Sequence, residues 1–378
     1  MNIDLIGPSY PFRGGISHYT TLLFSHLKKK HPTNFYCFKR QYPRFAFPGK
    51  TDREESRFVL RDEDSRPLLD ALNPWSWVKL ALQIIRDRPT LTIFPWWVIY
   101  WAPPFLTIIT LAKKFSPTKI VFLCHNVVEH EAHFFKSFVS KIVLRRGDYF
   151  IVHSTQEKEN LRRLIGMKEI AVVLPPLYDA LHAAPIPKNL ARQKLGILEE
   201  KVILFFGIVR EYKGLRYLIE ALPAVLERFK VRLLIAGEFW EDKKKYLQLI
   251  RQRKIEKQVS LIDRYIPNEE IPFYFYASDL AVFPYTSVTG SGALQLAKGF
   301  HIPAVVTNMG SFLEVVTDKK TGFHVSPGKP AEIAAAVIDF FEKYDAKKMS
   351  RDIQADNQRF SWERLIGAIE NFVPGQGR

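Results

Sequence analysis

Phe205-Phe206-Gly207-Ile208-Val209-Arg210-Glu211-Tyr212-Lys213-Gly214-Leu215 is the stretch from which this chain is best read. An apolar run over 202–206 has the length and composition of a buried strand, and a helix follows Gly214. Between them stand Arg210 and Lys213. The arginine offers a planar fork of donors and the lysine a compact charge, and both suit a diphosphate that has no metal to neutralise it. The plain alternative is a solvated pair of charges. Ligands of open parallel sheets bind beyond the carboxyl ends of the strands, and this pair follows a strand's carboxyl end.

Working outward, the same alternation recurs. Toward the N-terminus, strands are expected at 3–7, 34–38, 91–94, 119–124, 149–152 and 171–174, with amphipathic segments between most of them. Toward the C-terminus they are expected at 232–236, 259–262, 280–283, 304–307 and 322–325. Strands alternating with helices imply parallel sheets joined by right-handed crossovers. Residues 50–70 are charged and aperiodic and read as an exposed loop. Pro175-Pro176, then Pro185 and Pro187, break the pattern and mark a linker. A chain of 378 residues exceeds the ~250–300 at which one core stops growing, so two α/β domains are expected, at 1–180 and 190–355.

Hydrophobic content of 47% and charged content of 25% exclude a disordered or fibrous chain. The net charge of +16 lies mainly in the first part: residues 1–180 carry 26 Lys+Arg against 16 Asp+Glu, and the remainder 29 against 23. Nucleic acid, an anionic membrane surface or a phosphorylated substrate would each attract such a charge. No zinc-finger, basic-zipper or RNA-binding signature accompanies it, so nucleic acid is set aside. Lys28-Lys29-Lys30 reads equally well as the solvated end of a helix. Cys37 and Cys124 match no metal spacing and indicate buried thiols in a reducing, cytoplasmic compartment. The early sequence, interrupted by Asp4 and Arg13, is not a secretory signal. Residues 91–112 carry no charge and are long enough to span a bilayer, but Pro95, Pro103 and Pro104 favour a strand, a turn and a helix. Trp96, Trp97, Tyr100 and Trp101 are residue types that favour a membrane interface, so superficial contact there stays open.

Three further stretches carry chemistry. Gly7-Pro8-Ser9-Tyr10-Pro11-Phe12-Arg13-Gly14-Gly15-Ile16-Ser17 ends at the start of a helix. Gly14 and Gly15 let a ligand approach a helix terminus that favours negative charge, although an ordinary glycine turn reads the same way. Pro284-Tyr285-Thr286-Ser287-Val288-Thr289-Gly290-Ser291-Gly292-Ala293-Leu294-Gln295 places small residues before a helix. Thr289 or Ser291 is the expected N-cap, and the same N–H groups and hydroxyls form a second phosphate cradle. Phe122-Leu123-Cys124-His125-Asn126-Val127-Val128-Glu129-His130-Glu131 ends a strand at a polar cluster. Its spacing is not the helical metalloprotease motif, so no metal is assigned and His125 is taken as the ligand-facing residue.

The order of these segments resembles the retaining glycosyltransferases of the GT-B fold, family 4, over nearly the whole chain. The features that correspond are Gly14-Gly15, His125, Arg210 with Lys213, the run from Gly299 to Gly310, Glu314-Val315-Val316, Thr321-Gly322-Phe323 and Ser361-Trp362. The resemblance implies two Rossmann-like doubly wound domains facing a cleft, with a last helix at 360–375 crossing back to the N-terminal domain. It departs from the family in one respect. The positions that commonly hold two glutamates around the donor helix are Val288 and Leu296 here, and no Asp or Glu lies between 280 and 313. A branch of the family with a Thr-Gly-Ser-Gly loop is similar.

What the resemblance implies is metal-independent transfer of a sugar, without a cofactor, from a nucleotide-sugar to an acceptor with retention at the anomeric carbon. Arg210, Lys213 and the helix terminus at 289–292 would stabilise the leaving diphosphate, and His125 would orient the donor sugar. Gly14, Gly15, Thr289, Gly290, Ser291, Gly292 and Gln295 join them as donor-binding residues, with Tyr265 and Ile266 assigned to the base pocket. The acceptor, a sugar or lipid-linked molecule of polysaccharide or glycolipid assembly, would bind the basic N-terminal domain beside a membrane. Two other classes remain: a catalytically silent nucleotide-sugar-binding protein, motivated by the missing glutamates, and a sugar-nucleotide epimerase, which would act without an acceptor.

Overall fold

The computed structural model describes residues 1–43, 49, 51–54, 56, 64–127, 134–178, 181 and 185–373. The chain divides into two compact units. One comprises Met1–Glu55, Val59–Pro176 and Ser361–Arg378, the other Ser56–Phe58 and Leu177–Phe360.

The first unit runs β1 (Ile3–Gly7), α1 (Gly15–Leu27), β2 (Thr33–Arg40), β3 (Ser65–Asp70), α2 (Pro74–Asp87), β4 (Leu91–Trp96), α3 (Ala102–Phe115), β5 (Lys119–Cys124), α4 (Phe134–Leu144), β6 (Tyr149–Val152), α5 (Thr155–Ile165) and β7 (Glu169–Val172). Its parallel sheet has the order β3-β2-β1-β4-β5-β6-β7. The chain steps from β1 to β2 and β3, then returns to β4 and continues the other way, so the order reverses between β1 and β4. Right-handed crossovers put α1 on one face and α2 to α5 on the other. Strands covered on both faces read as continuous apolar runs, and β4 and β5 are such runs.

Two expectations are corrected here. Ser65–Asp70, read within a loop, is the edge strand β3. An edge strand bonds on one side only and tolerates charge and proline, so Arg66 and Pro67 do not prevent it. The aromatic stretch after β4 is core and not an interfacial belt: Trp96, Trp97 and Trp101 are 1%, 9% and 0% exposed. Trp101 stacks on Phe38 with ring centroids 4.0 Å apart. Pro103 and Pro104 open α3, where the missing N–H groups cost nothing, and the helix turns back over the sheet. Among the described residues, no helix is long and apolar enough to cross a membrane. Pro95 is tolerated inside β4 because the pairing with β1 ends at Ile93, leaving its ring against Gly7.

The second unit runs α6 (Lys188–Lys194), β8 (Lys201–Phe206), α7 (Leu215–Leu226), β9 (Val231–Ala236), α8 (Lys243–Gln252), β10 (Val259–Ile262), α9 (Ile271–Ala277), β11 (Leu280–Phe283), α10 (Gly292–Gly299), β12 (Ala304–Thr307), α11 (Phe312–Val315), β13 (Gly322–Val325), α12 (Pro330–Lys343) and α13 (Ala346–Asp356). Its parallel sheet has the order β10-β9-β8-β11-β12-β13, which reverses between β8 and β11. The last helix, α14 (Trp362–Asn371), capped by Ser361, belongs to the first unit and packs on α1. Both cysteines are buried thiols.

Candidate functional site

Where the order of an α/β sheet reverses, two neighbouring strands send their helices to opposite faces and leave a crevice at their carboxyl ends. In the second unit those strands are β8 and β11, so the loops 207–214 and 284–291 meet. The Tyr212 carbonyl accepts the Thr286 N–H at 2.7 Å. Gly214, at φ 67°, caps the short turn Glu211–Lys213 and starts α7. A Cβ at Gly214 would lie 2.0 Å from the Pro284 carbonyl oxygen, so the two loops close only over a glycine.

This docking sets Lys213. Its ammonium lies 5.7 Å from the centre of the Tyr285 ring. A Cβ built on Gly207 would be 3.4 Å from Lys213 Nζ and 3.8 Å from the Ala293 Cβ, so Gly207 separates the ammonium from the first turn of α10. Arg210 is exposed and lies over the Trp240 ring at 5.6 Å. Trp240 is fixed by its indole N–H, which donates to Glu238 Oε2 at 3.2 Å, and by its backbone N–H, which donates to Val209. Lys213 therefore stands beside the start of α10, with Arg210 near enough to act on its charge.

Ser291 caps α10 by accepting the Leu294 N–H at 3.2 Å, and its hydroxyl also meets that of Tyr285 at 3.3 Å. The first turn of α10 contains no acidic residue. Gly290 has open space around it, and Gly292 lies beside the Tyr178 hydroxyl. Thr289 precedes both on the same loop. Gln295 is 3% exposed, and its Oε1 is a buried acceptor with no hydrogen-bond partner. Two cations and the backbone donors of a helix start whose first turn has no acidic residue make this a place for an anion with several oxygens.

Burial, reinforced by Arg210, pushes the Lys213 ammonium down to about 8. A phosphate oxyanion beside it would favour the charged form. Diphosphate binding is therefore expected to be strongest below pH 8. Above pH 8 it takes up a proton and weakens by up to about tenfold per pH unit. Calorimetry in buffers of different ionisation enthalpy checks this, and Lys213→Ala is expected to remove the dependence.

The first unit carries a second cluster at the carboxyl ends of its strands. Gly14 and Gly15 open α1 at the β1/β4 reversal, Gly14 at φ 108° without a side chain to cap the helix. The buried His18–Glu54 pair, 2.6 Å apart, ties residue 54 to that helix. His125 follows β5, its backbone N–H donating to Trp96 at 2.8 Å. Its ring meets Tyr19 edge-on with centroids 4.6 Å apart, and His153 lies 5.3 Å away. Burial, with His153 adding to it, holds the His125 imidazole well below the usual histidine range, so it is neutral. His125 Nε2 is buried without a hydrogen-bond partner. His153 was not singled out from sequence, although it follows β6 as His125 follows β5. Its Nδ1–H donates to the Val173 carbonyl at 2.8 Å, and burial pushes it down to about 4. The signal available was a polar residue immediately after an apolar strand.

Tyr265 and Ile266 follow β10, the edge strand of the second sheet, with Ile266 buried. They are two strands removed from Lys213. Glu129, His130 and Glu131 lie outside the described residues. Among the described residues, no group of three or more His, Cys, Asp or Glu side chains is placed to hold a metal ion.

Residues 187–359 match the family model for Glycosyl transferases group 1. The match covers the second unit from α6 through α13. Among curated relatives, an uncharacterized glycosyltransferase of Methanocaldococcus jannaschii is 29% identical over 188 residues, covering 48% of this chain and 46% of the relative. A D-inositol 3-phosphate glycosyltransferase of Corynebacterium aurimucosum is 26% identical over 237 residues, covering 60% of this chain and 56% of the relative. The chain thus spans about half the length of the curated relatives it matches. Solved structures match over both units. Anabaena HepE in complex with UDP and glucose has TM-score 0.77 at 17% identity over 98% of each chain. Sucrose-phosphate synthase from Thermosynechococcus elongatus has TM-score 0.74 at 16% identity over 98% of each chain. Two Rossmann-like doubly wound units of this kind are the GT-B fold.

Proposed function

We propose that this protein is a group 1 glycosyltransferase that takes a sugar from a nucleoside-diphosphate sugar. The observation that carries the reading is the approach of Lys213, with Arg210 near it, to the first turn of α10 at the β8/β11 reversal. As the bond to the sugar breaks, charge grows on the leaving diphosphate. Lys213 would stabilise it at close range, the α10 N–H groups would donate hydrogen bonds to its oxygens, and Arg210, more exposed, would hold its outer edge. Donors fixed before the reaction cost no reorganisation during it, which is how a site without a metal offsets this charge. Neutral His125 would hold a sugar hydroxyl without drawing its proton. Transfer with retention, and the branch of family 4 that has the Thr-Gly-Ser-Gly loop, belong to the same reading. A cytoplasmic enzyme facing an acceptor held at an anionic membrane completes it.

A second reading, a nucleotide-sugar-binding protein without turnover, is favoured by one observation. No acid lies between 280 and 313, and the buried Gln295 Oε1 is an acceptor left without a donor. One experiment addresses both. The melting temperature is measured with UDP, GDP, ADP and TDP, with and without magnesium, followed by turnover with the matching nucleotide-sugar. UDP comes first because HepE was solved with it. Stabilisation by one nucleotide, independent of magnesium and lost in Arg210→Ala/Lys213→Ala, is the expected result. No stabilisation by any of them sinks the donor site. Stabilisation without turnover on any acceptor tried favours the silent protein.

A further inference from the structure

On α4, the inward face consists of Ser140, Val143 and Leu144, all buried against the sheet. The outward face carries Phe135, Phe138 and Ile142, which are 68%, 53% and 38% exposed. Positions 135, 138 and 142 fall on one side of a helix, within about 60° of one another at 100° per residue. Three large apolar side chains in one stripe on a surface helix are not what a solvated helix requires. The charged residues of α4 and of the turn that leads from it to Asp148 are all basic. Residues 132–147 contain Lys136, Lys141, Arg145 and Arg146 and neither Asp nor Glu. Arg145 and Arg146 are exposed at the end of the helix. The unit also carries the larger share of the net charge.

We propose that the outward face of α4 docks this protein on an anionic lipid surface. Phe135, Phe138 and Ile142 enter the boundary between headgroups and acyl chains, while Lys141, Arg145 and Arg146 meet lipid phosphates. Charge complementarity selects the occupant. A protein partner for the apolar stripe alone would not need the charges that α4 and its end carry to be all positive, whereas an anionic bilayer favours each one. The inference builds on the membrane-proximal acceptor above and replaces the buried tryptophans of the β4–α3 segment as the point of contact.

The test is sedimentation of the full chain with phosphatidylcholine vesicles, with and without phosphatidylglycerol, at low and high salt. Binding to the anionic vesicles is expected, at least about tenfold weaker in Phe135→Ser/Phe138→Ser/Ile142→Ser and similarly weakened in Lys141→Glu/Arg145→Glu. Size-exclusion chromatography and nucleotide-dependent melting are run on the same variants. Unchanged nucleotide response with lost vesicle binding supports the proposal and leaves the donor site standing. Wild-type protein that stays in the supernatant overturns it, as does a triple variant that still binds. A wild-type dimer that the triple variant dissolves also overturns it, in favour of a second copy on this face. Loss of the nucleotide response in the wild type alone would instead count against the donor site.

Discussion

Under the proposed activity, Lys213→Ala is expected to lower kcat/KM for sugar transfer by about 10³, and Arg210→Ala by about tenfold. The ranking follows from position. Lys213 is enclosed between Gly207, Tyr285 and the first turn of α10, where water screens little and a charge acts strongly on a neighbouring oxyanion. Arg210 is exposed over Trp240, and its interaction is screened. Lys213→Arg recovers little, because a planar guanidinium does not place its charge where the compact ammonium stands. Burial and Arg210 both disfavour the Lys213 charge in the free protein, so removing it does not lower the melting temperature. Steady-state kinetics beside a melting curve separates these effects. A loss below about tenfold in Lys213→Ala, with the fold intact, would remove this residue from the chemistry.

Gly214→Ala is expected to put a methyl group where the loops after β8 and β11 close on each other. The residue sits at φ 67°, which costs a side chain about 1 kcal/mol, and its Cβ would lie 2.0 Å from the Pro284 oxygen. Something must move, and both neighbours are backbone. The loops after β8 and β11 then separate, the bond from Thr286 to Tyr212 is lost, and Lys213 leaves the start of α10. The expected cost is about 2–4 kcal/mol of stability, seen as a drop of several degrees in melting temperature, together with loss of nucleotide stabilisation. Gly290→Ala is the control, because nothing lies within 4 Å of a Cβ there. Its melting temperature stays within about a degree of the wild type. Equal effects from the two substitutions would show that loop closure over Gly214 does not organise the site.

Much of this was legible before any coordinate. Strands buried on both faces are predominantly apolar, so β4, β5, β8 and β11 announce themselves, and their alternation with helices implies two parallel sheets. A cap by Thr289 or Ser291, and the position of Arg210 and Lys213 after a strand, follow from local chemistry that a sequence carries directly; the structure places the cap at Ser291. Ser65–Asp70 was not legible, because an edge strand is half solvated and its charges look like those of a loop. The tryptophans near β4 were ambiguous, because an aromatic residue suits a lipid interface and a protein core equally well. Only the path of α3 back over the sheet placed them inside.

The sequence by itself determined the order of elements, the two α/β units and the residue types available at each strand end, since these depend on neighbours along the chain. The tertiary structure alone decided which strand ends became neighbours. It brought Lys213 to the start of α10, made Gly214 indispensable against Pro284, and set His153 beside His125. Those proximities arise from the strand order of each sheet, which joins segments far apart in sequence and leaves no periodic mark on either.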